Sequence, residues 1–399
     1  MASIETLDDI KARIEQVSPE EARKEVESGD AVLVDTRDAI NRQEVRIEGD
    51  EYAPAGNGGV ESHSEGFGER IAEIAGDRDK RVLVYCNVGN RSAVAADALV
   101  REHGFENAAS VEGGIAAWEA AGLPVVVPEG MSAEQRNRYS RHTLLPEVGV
   151  EGQLKMLNAK VLLIGAGGLG APAALYLAAA GIGTLGLVDD DEVDESNLQR
   201  QVIHNTERVG MPKTESARKT IEALNPDVDV VEHRTRLDAS NIIEIIKDYD
   251  LIVDGADNFP TRYLLNDASV RLRKPVVSAS ILAFDGQIST FVPFEGPCYR
   301  CLYPTPPPAE LAPSCGAAGV LGVMAGVMGL LQANEVIKLV IGIGEPLIGR
   351  LLLYDSLSTR FTELKVRRDP ECPICGPNAQ EIPESEMGKF PDYELFCAA

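Results

Sequence analysis

Four of the seven cysteines in the 399-residue chain form two C-x-x-C pairs, Cys298 with Cys301 and Cys372 with Cys375. Each pair can supply two thiolates to one tetrahedral zinc ion, and four cysteine ligands leave no open position for a substrate. The pairs therefore predict a structural zinc site that ties the C-terminal part of the chain back to its domain. A redox-active C-x-x-C pair or unpaired surface thiols are the alternatives, and the presence of two pairs favours zinc.

A different cysteine, Cys86, ends the apolar run VLVY and precedes a loop that leads through Arg91 into a helical pattern. Backbone amides and the helix dipole converge at such a helix start, where they stabilise an anion and lower the pKa of a thiol. Four residues separate Cys86 from Arg91, one fewer than a cysteine phosphatase uses to surround a phosphate, so the loop suits a single sulfur atom. A buried strand-end cysteine is the alternative, but Gly89 and Arg91 favour a catalytic thiolate that can carry a persulfide.

The turn GAGGLG indicates a second site, because Gly165, Gly167, Gly168 and Gly170 follow an apolar strand and open a helix. Glycines at these positions let the backbone approach a phosphate, and Asp189, at the end of the next strand, can accept hydrogen bonds from a ribose. On this evidence alone, a NAD- or FAD-dependent oxidoreductase is a reasonable hypothesis.

Polar residues beyond Asp189 favour adenylyl transfer over an oxidoreductase. They are Ser196, Asn197, Arg200, Lys213, Asp257 and Asn258. Each of them taken singly can be an ordinary solvated surface residue. Hydride transfer needs neither these cations nor an extra acid near the phosphates. Adenylyl transfer needs both, because Arg, Lys and an Asp-bound magnesium ion stabilise the charge that develops on the α-phosphate and the departing pyrophosphate. The set therefore favours ATP and magnesium.

Two α/β domains are expected to position these residues. Apolar runs such as AVLVDTR and RVLVYC alternate with helical patterns in residues 1–127, which predicts a small α/β domain. Residues 128–131 form a linker, and a larger Rossmann-like α/β domain follows at 132–377. Its expected strands are VLLIGAG, TLGLVDD, DVDVVEH, DLIVDGAD, PVVSASI and QISTFVPF. The stretch YPTPPPAELAPS is expected to be a mobile loop, and residues 378–399 an acidic tail.

Composition excludes some classes of function. A net charge of −25 argues against direct nucleic-acid binding, which needs a basic surface. The charged start lacks the apolar core of a signal peptide, so we expect a cytoplasmic protein without disulfides. The apolar stretches 161–188 and 316–331 are interpreted as strand–helix–strand and as a buried helix rather than as membrane spans. Cys397 lies one residue short of a prenylation box and is expected to be an idle thiol on the tail.

The runs CNVGNRS, VLVDTRD and HGFENAASVEGGIAAW resemble a single-domain rhodanese, and the resemblance covers most of residues 16–125. It implies that Cys86 accepts a sulfane sulfur from a donor such as a cysteine desulfurase or thiosulfate. The stretch between Glu44 and Gly66 departs from the His-Ile-Pro-Gly-Ala-like sequence usual in that family. The departure leaves the rim of the pocket and the donor specificity open.

Residues from about Ser132 to Gly376 resemble the MoeB- and ThiF-type adenylyltransferases, which are relatives of the ubiquitin-activating enzymes. The matching runs are RYSRHTLLPEVG, IGAGGLG, LVDDDEVDESNLQRQ, GMPKTESA, DGADNFPTRYLLND and GPCYRCL. The resemblance assigns the ribose to Asp189, the phosphates to Asn197, Arg200 and Lys213, and magnesium with the α-phosphate to Asp257. It also implies a homodimer in which Arg141 reaches into the active site of the other subunit, and it agrees with zinc at the paired cysteines.

These features predict an enzyme that uses ATP to activate the C-terminal Gly-Gly carboxylate of a ubiquitin-like sulfur-carrier protein. A persulfide on Cys86 then provides sulfur for a carrier thiocarboxylate. The molybdopterin synthase small subunit is the first candidate carrier, with thiamin, tRNA-thiolation and cysteine pathways as alternatives. A non-catalytic scaffold is a further alternative, against which the intact Cys86 and Arg91 argue.

Cys315 has no near cysteine partner in the sequence. The resemblance places it at a cysteine that, in sulfur-handling members, joins the activated carrier or relays sulfur. A small residue before a buried helix is the alternative. The rhodanese-like part comes first here, which reverses the commoner order and leaves the geometry of sulfur delivery open.

Overall fold

The central parallel strands of both units are short apolar runs, because parallel strands covered by helices on both faces leave little room for polar side chains. In the computed structural model the chain divides into two units, Met1–Glu151 and Gly152–Ala399. The structure describes residues 6–56, 66–127, 130–307, 319–377 and 383–398. The domain boundaries expected from the sequence, with a linker at 128–131, stay a prediction.

The first unit contains a parallel sheet and a small antiparallel pair. Its strands are β1 (Glu15–Val17), β2 (Ala31–Asp35), β3 (Arg46–Ile47), β4 (Glu51–Tyr52), β5 (Arg81–Tyr85), β6 (Ala108–Val111) and β7 (Val125–Val126). The parallel sheet has the order β1-β6-β5-β2-β4, and β3 pairs with β7. The runs AVLVDTR and RVLVYC therefore form neighbouring strands, which confirms the predicted α/β fold of this unit.

The first unit also contains helices. They are α1 (Leu7–Arg13), α2 (Pro19–Glu27), α3 (Ala39–Glu44), α4 (Phe67–Ala75), α5 (Asn90–Arg101), α6 (Gly114–Ala120) and α7 (Ala133–Thr143). Helix α2 shows why such segments start where they do. The Ser18 hydroxyl accepts a hydrogen bond from the Glu21 amide, the Glu21 carboxylate accepts one from the Ser18 amide, and Pro19 takes the first helical position.

The second unit is built on one mixed sheet. Its strands are β8 (Lys160–Ile164), β9 (Thr184–Val188), β10 (Asp229–His233), β11 (Leu251–Asp254), β12 (Val276–Leu282), β13 (Asp285–Phe291), β14 (Arg350–Asp355) and β15 (Arg360–Lys365). The order is β10-β9-β8-β11-β12-β13-β14-β15, parallel through β12 and antiparallel beyond it. All six expected strands are present. The sequence analysis missed β14 and β15, which are the last two strands at one end of the sheet. Strand β15 is exposed along its whole length and therefore has no alternation of buried and exposed residues.

The helices of the second unit are α8 (Gly149–Asn158), α9 (Gly170–Ala180), α10 (Lys213–Leu224), α11 (Ile242–Ile246), α12 (Phe259–Leu272), α13 (Tyr299–Leu302), α14 (Gly322–Ile341) and α15 (Tyr393–Ala398). Helix α8 spans the division between the units. Short 3₁₀ turns lie at Glu195–Asn197, Thr206–Arg208 and Glu384–Glu386. The stretch 161–188 is β8, α9 and β9, as the sequence predicts.

Helix α14 is the one helix among the described residues that is long and apolar enough to cross a membrane, judged by length and composition. Half of its apolar window, 50%, is buried inside the protein. Met324 and Met328 are fully buried. A Cβ on Gly329 would lie 2.5 Å from the Leu169 carbonyl oxygen, so the helix packs directly on the backbone at the start of α9. The described part of 316–331 is therefore the buried helix that the sequence predicts.

The C-terminal residues of the second unit are folded against it. One guanidinium nitrogen of Arg271, on α12, donates to the carbonyl oxygens of Glu386, Met387 and Lys389 at 2.9 Å each. Phe390, Tyr393 and Phe396 supply the apolar contacts that the acidic composition of this segment conceals. Within 383–398, the expected tail is thus a docked segment, and Cys397 is partly buried against the core rather than idle on a tail.

The parallel part of the sheet brings the chemical residues to one edge. Strands β8, β9 and β11 are neighbours, and their carboxyl ends lead into the GAGGLG turn, Asp189 and the DGADN loop respectively. In open α/β sheets, ligands bind in the crevice outside the carboxyl ends of the strands. The topology therefore joins three motifs that are far apart in the sequence.

Candidate functional site

The first candidate site is the loop between β5 and α5, which carries Cys86. The thiol is buried, with 1% of the residue exposed. The Ser92 hydroxyl donates a hydrogen bond to the Cys86 sulfur at 3.4 Å. Burial by itself would raise the pKa of Cys86, but the hydroxyl and amide of Ser92 and the amides of Val88 and Gly89 lower it below its usual value. The loop is therefore built to hold a negatively charged sulfur.

Glycines allow a second loop to press on the Cys86 loop. A Cβ on Gly114 would lie 2.1 Å from the Cys86 carbonyl oxygen, and a Cβ on Gly89 would lie 2.8 Å from the Gly113 nitrogen. The Ile115 amide donates to the same Cys86 carbonyl at 2.9 Å. The start of α6 thus fixes the position of the Cys86 backbone, which explains why two consecutive glycines stand there.

A buried ion pair between Asp35 and Arg37 contacts the Cys86 loop. Asp35 and Arg37, at the end of β2, are 0% and 1% exposed, and their side chains are 2.9 Å apart. Arg37 also donates to the Asn87 side chain at 3.3 Å. The pair lies in the run VLVDTRD, but sequence reasoning gave it no role. Two charged residues at the end of an apolar strand are the signal that could have identified it.

Arg91 occupies the second position of α5 and is half-buried. Across the residues that the structure describes, its guanidinium has no hydrogen-bonded or ion-paired partner. Burial raises the pKa of Asp38, but hydrogen bonds from Asn41 and the nearby charge of Arg91 bring that pKa below its usual value. Arg91 is thus placed beside the Cys86 loop with its hydrogen-bonding groups available to an anion.

The second candidate site is the GAGGLG turn at the carboxyl end of β8. Gly165 has a φ of +89°, and a Cβ on Gly170 would lie 1.9 Å from the Gly165 carbonyl oxygen. A Cβ on Gly165 would in turn lie 3.3 Å from the Gly255 carbonyl oxygen. The turn and the DGADN loop therefore touch backbone to backbone, as a phosphate cradle between two strand ends requires.

Asp189 forms a hydrogen bond to the backbone of the glycine turn. Its carboxylate accepts hydrogen bonds from the Ala166 amide at 2.8 Å and the Asp191 amide at 2.9 Å. Burial raises the pKa of Asp189, while the charge of Lys213 acts in the opposite direction. The position is the one expected for a ribose-binding acid.

The predicted phosphate-binding residues lie beside the turn. The Arg200 guanidinium donates to the Asn197 side chain at 2.8 Å, and its Cδ would lie 3.7 Å from a Cβ on Gly168. Lys213 is buried and forms an ion pair with Asp191 at 2.6 Å. The two cations and Asn197 are therefore brought together with the glycine turn.

Of the remaining predicted residues of this site, Ser196 and Asn258 take part in helix capping, and Asp257 is exposed. Ser196 is exposed and hydrogen-bonded to Asp194, which caps the short helical turn. Asn258 caps α12 by accepting a hydrogen bond from the Thr261 amide at 2.9 Å. Asp257, directly before it, is exposed at the carboxyl end of β11, where its carboxylate is accessible to a cation.

Sequence reasoning missed His204, which braces the glycine turn. It is buried, its Nε2 lies 3.0 Å from the Ala166 carbonyl oxygen, and its Nδ1 lies 2.9 Å from the Ser216 hydroxyl. Gln201 also lies under the turn, with its Nε2 3.4 Å from a Cβ built on Gly167. A histidine four residues after the predicted phosphate-binding arginine was the available signal.

The four paired cysteines form one cluster. The sulfur of Cys298 lies 3.9 Å from that of Cys301 and 3.6 Å from that of Cys372, and the sulfurs of Cys301 and Cys375 are 3.4 Å apart. A tetrahedral zinc ion with Zn–S bonds of about 2.3 Å places its ligands roughly 3.8 Å apart. The donor set therefore fits one tetrahedral metal ion, and the six described cysteines are all free of disulfides.

The roles of two further residues, Arg141 and Cys315, stay predictions. Arg141 is exposed on α7, which the contacts group with the first unit. Cys315 and residues 308–314 of the expected mobile loop, which begins at Tyr303, lie outside the described residues.

The buried His204 predicts a pH-dependent stability of the second unit. Burial lowers the pKa of His204 to about 4, from about 6.5 in an unfolded chain. Because the unfolded state binds the proton more tightly, stability is complete above about pH 6.5 and is lost as the pH falls towards 4. We expect the free energy of unfolding to fall by about 1–2 kcal/mol between pH 7 and pH 5 on account of this group.

Urea unfolding of the wild type and of His204→Gln, followed at both pH values, measures this loss. The variant should be less stable at pH 7 and should show a correspondingly smaller change towards pH 5. Equal pH dependence of the two proteins would contradict the assignment. His233→Gln is a comparison variant, because burial also lowers the pKa of His233, which contacts Tyr249 rather than the glycine turn, so it measures a second and separate part of the pH dependence.

Comparisons with known protein families agree with both sites. The ThiF family matches residues 139–374, and the rhodanese-like domain matches residues 18–121. The chain is 51% identical over 269 residues to a sulfur carrier protein adenylyltransferase of Thermus thermophilus, a match covering 66% of this chain and 97% of that protein. These matches do not support the alternative of a NAD- or FAD-dependent oxidoreductase.

Longer relatives carry both activities in their names. The chain is 50% identical to the probable adenylyltransferase/sulfurtransferase MoeZ of Mycobacterium tuberculosis, over 69% of this chain and 68% of that one. It is 49% identical to the adenylyltransferase and sulfurtransferase MOCS3 of Drosophila yakuba, over 65% of this chain but only 56% of that one. The match thus spans just over half of MOCS3.

Among solved structures, Escherichia coli MccB with ATP is similar, with 25% identity, a TM-score of 0.54, and coverage of 63% of this chain and 77% of that one. MccB with MccA-N7isoASN gives 26% identity and a TM-score of 0.55. The predicted enzyme class, an adenylyltransferase with sulfurtransferase activity, is confirmed by the family matches and the names of the relatives. The chain belongs to the ThiF family and carries a rhodanese-like domain on the N-terminal side of its ThiF domain.

Proposed function

We propose that the second unit uses ATP to adenylylate the C-terminal Gly-Gly carboxylate of a ubiquitin-like sulfur-carrier protein, and that the first unit supplies sulfur as a persulfide on Cys86. The observation that carries the proposal is the meeting of the GAGGLG turn with the DGADN loop beside Arg200 and Lys213, on the same chain as a thiolate-stabilising loop. The names of the Thermus and Drosophila relatives support it.

In the first reaction, a carboxylate oxygen of the carrier attacks the α-phosphorus of ATP and pyrophosphate leaves. The glycine turn admits the phosphates, and Asp189 holds the ribose. Arg200 and Lys213 neutralise the charge that develops on the phosphate oxygens. A magnesium ion held by Asp257 would screen the same charge, and the exposed carboxylate at the strand end fits that role.

In the second reaction, the Cys86 thiolate attacks a sulfane sulfur and becomes a persulfide, and the leaving group is sulfite when the donor is thiosulfate or the cysteine thiolate when the donor is a cysteine desulfurase persulfide. The outer sulfur attacks the acyl-adenylate, a C–S bond forms and AMP leaves. A second thiol then attacks the Cys86 sulfur, the thiocarboxylate leaves, and Cys86 forms a disulfide with the second thiol, which an external thiol reductant must reduce before the next cycle. Cys315 is our candidate for that thiol, by its resemblance to the cysteine of sulfur-handling relatives.

We further propose that the cysteine cluster holds structural zinc, that the enzyme is a cytoplasmic homodimer, and that Arg141 completes the active site of the other subunit. The molybdopterin synthase small subunit is the first candidate carrier, and carriers of thiamin, tRNA thiolation and cysteine pathways are the alternatives. Incubation with ATP, a sulfur donor and each carrier, followed by intact mass measurement of the carrier, distinguishes among them.

Asp257 provides a test of the ATP site. Asp257→Asn should lower carrier-dependent ATP–pyrophosphate exchange by at least about 100-fold, because the substitution removes the carboxylate charge that would hold magnesium beside the α-phosphate. Sulfane-sulfur transfer by the first unit should be unchanged. Asp248→Asn is the matched control, because this exposed acid precedes the amino end of β11 instead of following its carboxyl end. Full exchange activity in Asp257→Asn would refute the assignment.

Cys86 provides a test of the sulfur source. Cys86→Ala should reduce sulfane-sulfur transfer from thiosulfate to the background and leave pyrophosphate exchange unchanged. Thiocarboxylate formation, measured by carrier mass, should fail with a persulfide donor and recover with excess inorganic sulfide, which can attack the adenylate directly. Cys397→Ala is the control and should behave as the wild type. Normal thiocarboxylate formation by Cys86→Ala from a persulfide donor would show that the sulfur comes from elsewhere.

Metal analysis tests the cysteine cluster. We expect about one zinc ion per chain, and a structural site of this type contributes on the order of 10 kcal/mol to folding. Removal of the metal by a chelator should therefore unfold at least the second unit, as followed by circular dichroism. Cys372→Ser should lose the metal, whereas Cys397→Ala should retain it. A purified protein without zinc, with all four thiols freely titratable, would contradict the proposal.

A further inference from the structure

Two buried hydroxyl groups form a chain that ends on the Cys86 sulfur. The Ser110 hydroxyl donates to the Ser92 hydroxyl oxygen at 2.9 Å, and the Ser92 hydroxyl donates to the Cys86 sulfur at 3.4 Å. Both serines are 0% exposed and Cys86 is 1% exposed, so water does not compete for these bonds. Ser110 lies in the run HGFENAASVEGGIAAW, but sequence reasoning gave this residue no role of its own.

The fold explains how Ser110 reaches this position. It lies on β6, which pairs in parallel with β5, and Ser110 is in register with Val84, two residues before Cys86. Ser92 lies in the first turn of α5, directly after the loop. A serine on the neighbouring strand can therefore touch the first turn of the helix that receives the loop.

Each hydroxyl has a single proton, which makes the direction of the chain important. When Ser92 accepts the Ser110 proton, its own proton is directed to the sulfur. A helical serine without such a partner can instead bond to the carbonyl four residues earlier, which here is that of Val88. Ser110 thus favours the one rotamer of Ser92 that stabilises a thiolate.

We propose that Ser110 is a positioning residue for the sulfur-carrying cysteine, acting through Ser92 to hold a hydrogen-bond donor on the Cys86 thiolate and on the persulfide formed there. The proposal deepens the sulfurtransferase role and rests on it. Ser110 itself does not touch the sulfur.

The charged groups around the loop can be separated from this effect. Arg91 stands in α5, where Asp97 is paired with Arg13 and Arg101, and Lys11 of α1 donates to the Asn90 side chain at 2.7 Å. The Asp35–Arg37 pair of β2 reaches the loop through Asn87. From α6 the one charged side chain is that of Glu119, and β6 carries none. All of these remain in place when Ser110 is replaced.

The test is the pH dependence of Cys86 alkylation by iodoacetamide, quantified by mass spectrometry on the tryptic peptide from Val82 to Arg91. In Ser110→Ala the midpoint should move to higher pH. On the acidic limb, where the rate follows the thiolate fraction, the rate should fall about three- to tenfold, as expected for the loss of one hydrogen bond. Ser110→Thr, which keeps a hydroxyl, should restore the wild-type profile, and Ser28→Ala at an exposed site is the matched control.

A double-mutant cycle separates positioning from a general structural role. Ser110→Ala should have no further effect in a Ser92→Ala background, because the chain is already broken. If Ser110→Ala does not fold, Ser110→Cys provides the same comparison, since a thiol of similar size is a weak donor. A wild-type alkylation profile in the folded Ala or Cys variant, or an equal effect in the Ser92→Ala background, would overturn the proposal.

The alkylation assay needs neither a sulfur donor nor a carrier. A failure of persulfide formation on Cys86 would therefore overturn the proposed function without changing the alkylation profiles. A failure of the Ser110 effect would leave the sulfurtransferase assignment intact.

Discussion

Both sites depend on one physical constraint, the close contact of two backbone segments at the carboxyl ends of buried parallel strands. In the first unit the Cys86 loop is pressed against the start of α6, and in the second unit the GAGGLG turn is pressed against the DGADN loop. Backbone amides in such a contact have fixed directions and can stabilise an anion without reorganising. A side chain at Gly114 or Gly255 would separate the segments, so the chemistry depends on the absence of a Cβ there.

Buried ion pairs hold these loops in place. Arg37 with Asp35 supports the Cys86 loop, and Arg262 with Asp254 supports the DGADN loop, where Arg262 also donates to the carbonyl oxygens of Ala256 and Ala279. Burial of an ion pair adds little net stability, but removal of one partner costs about 3–5 kcal/mol. Such pairs therefore specify one loop conformation, which is what a preorganised site requires.

The docked C-terminal segment packs against residues that flank the cysteine cluster. Arg300 lies between Cys298 and Cys301, forms a buried ion pair with Asp267 at 2.9 Å, and stacks on the ring of Phe396. The Tyr393 hydroxyl donates to the same Asp267 at 2.6 Å. The residues that hold the cysteine cluster in shape thus also receive the last helix, α15, and the sequence of that segment alone did not predict this packing.

The sequence by itself determined the two α/β units, the strands with buried faces, the Cys86 loop, the glycine turn and the cysteine pairs. These features are local, since a run of apolar residues, a glycine pattern or a C-x-x-C spacing contains its own physical reason. It could not show that His204 braces the glycine turn, that Ser110 lies behind Ser92, or that β14 and β15 extend the sheet. Those facts depend on strand order, register and the packing of loops, which place residues far apart in the chain within hydrogen-bonding distance. Only the tertiary structure decides them, because the neighbours of a side chain across a sheet are set by packing and not by sequence position.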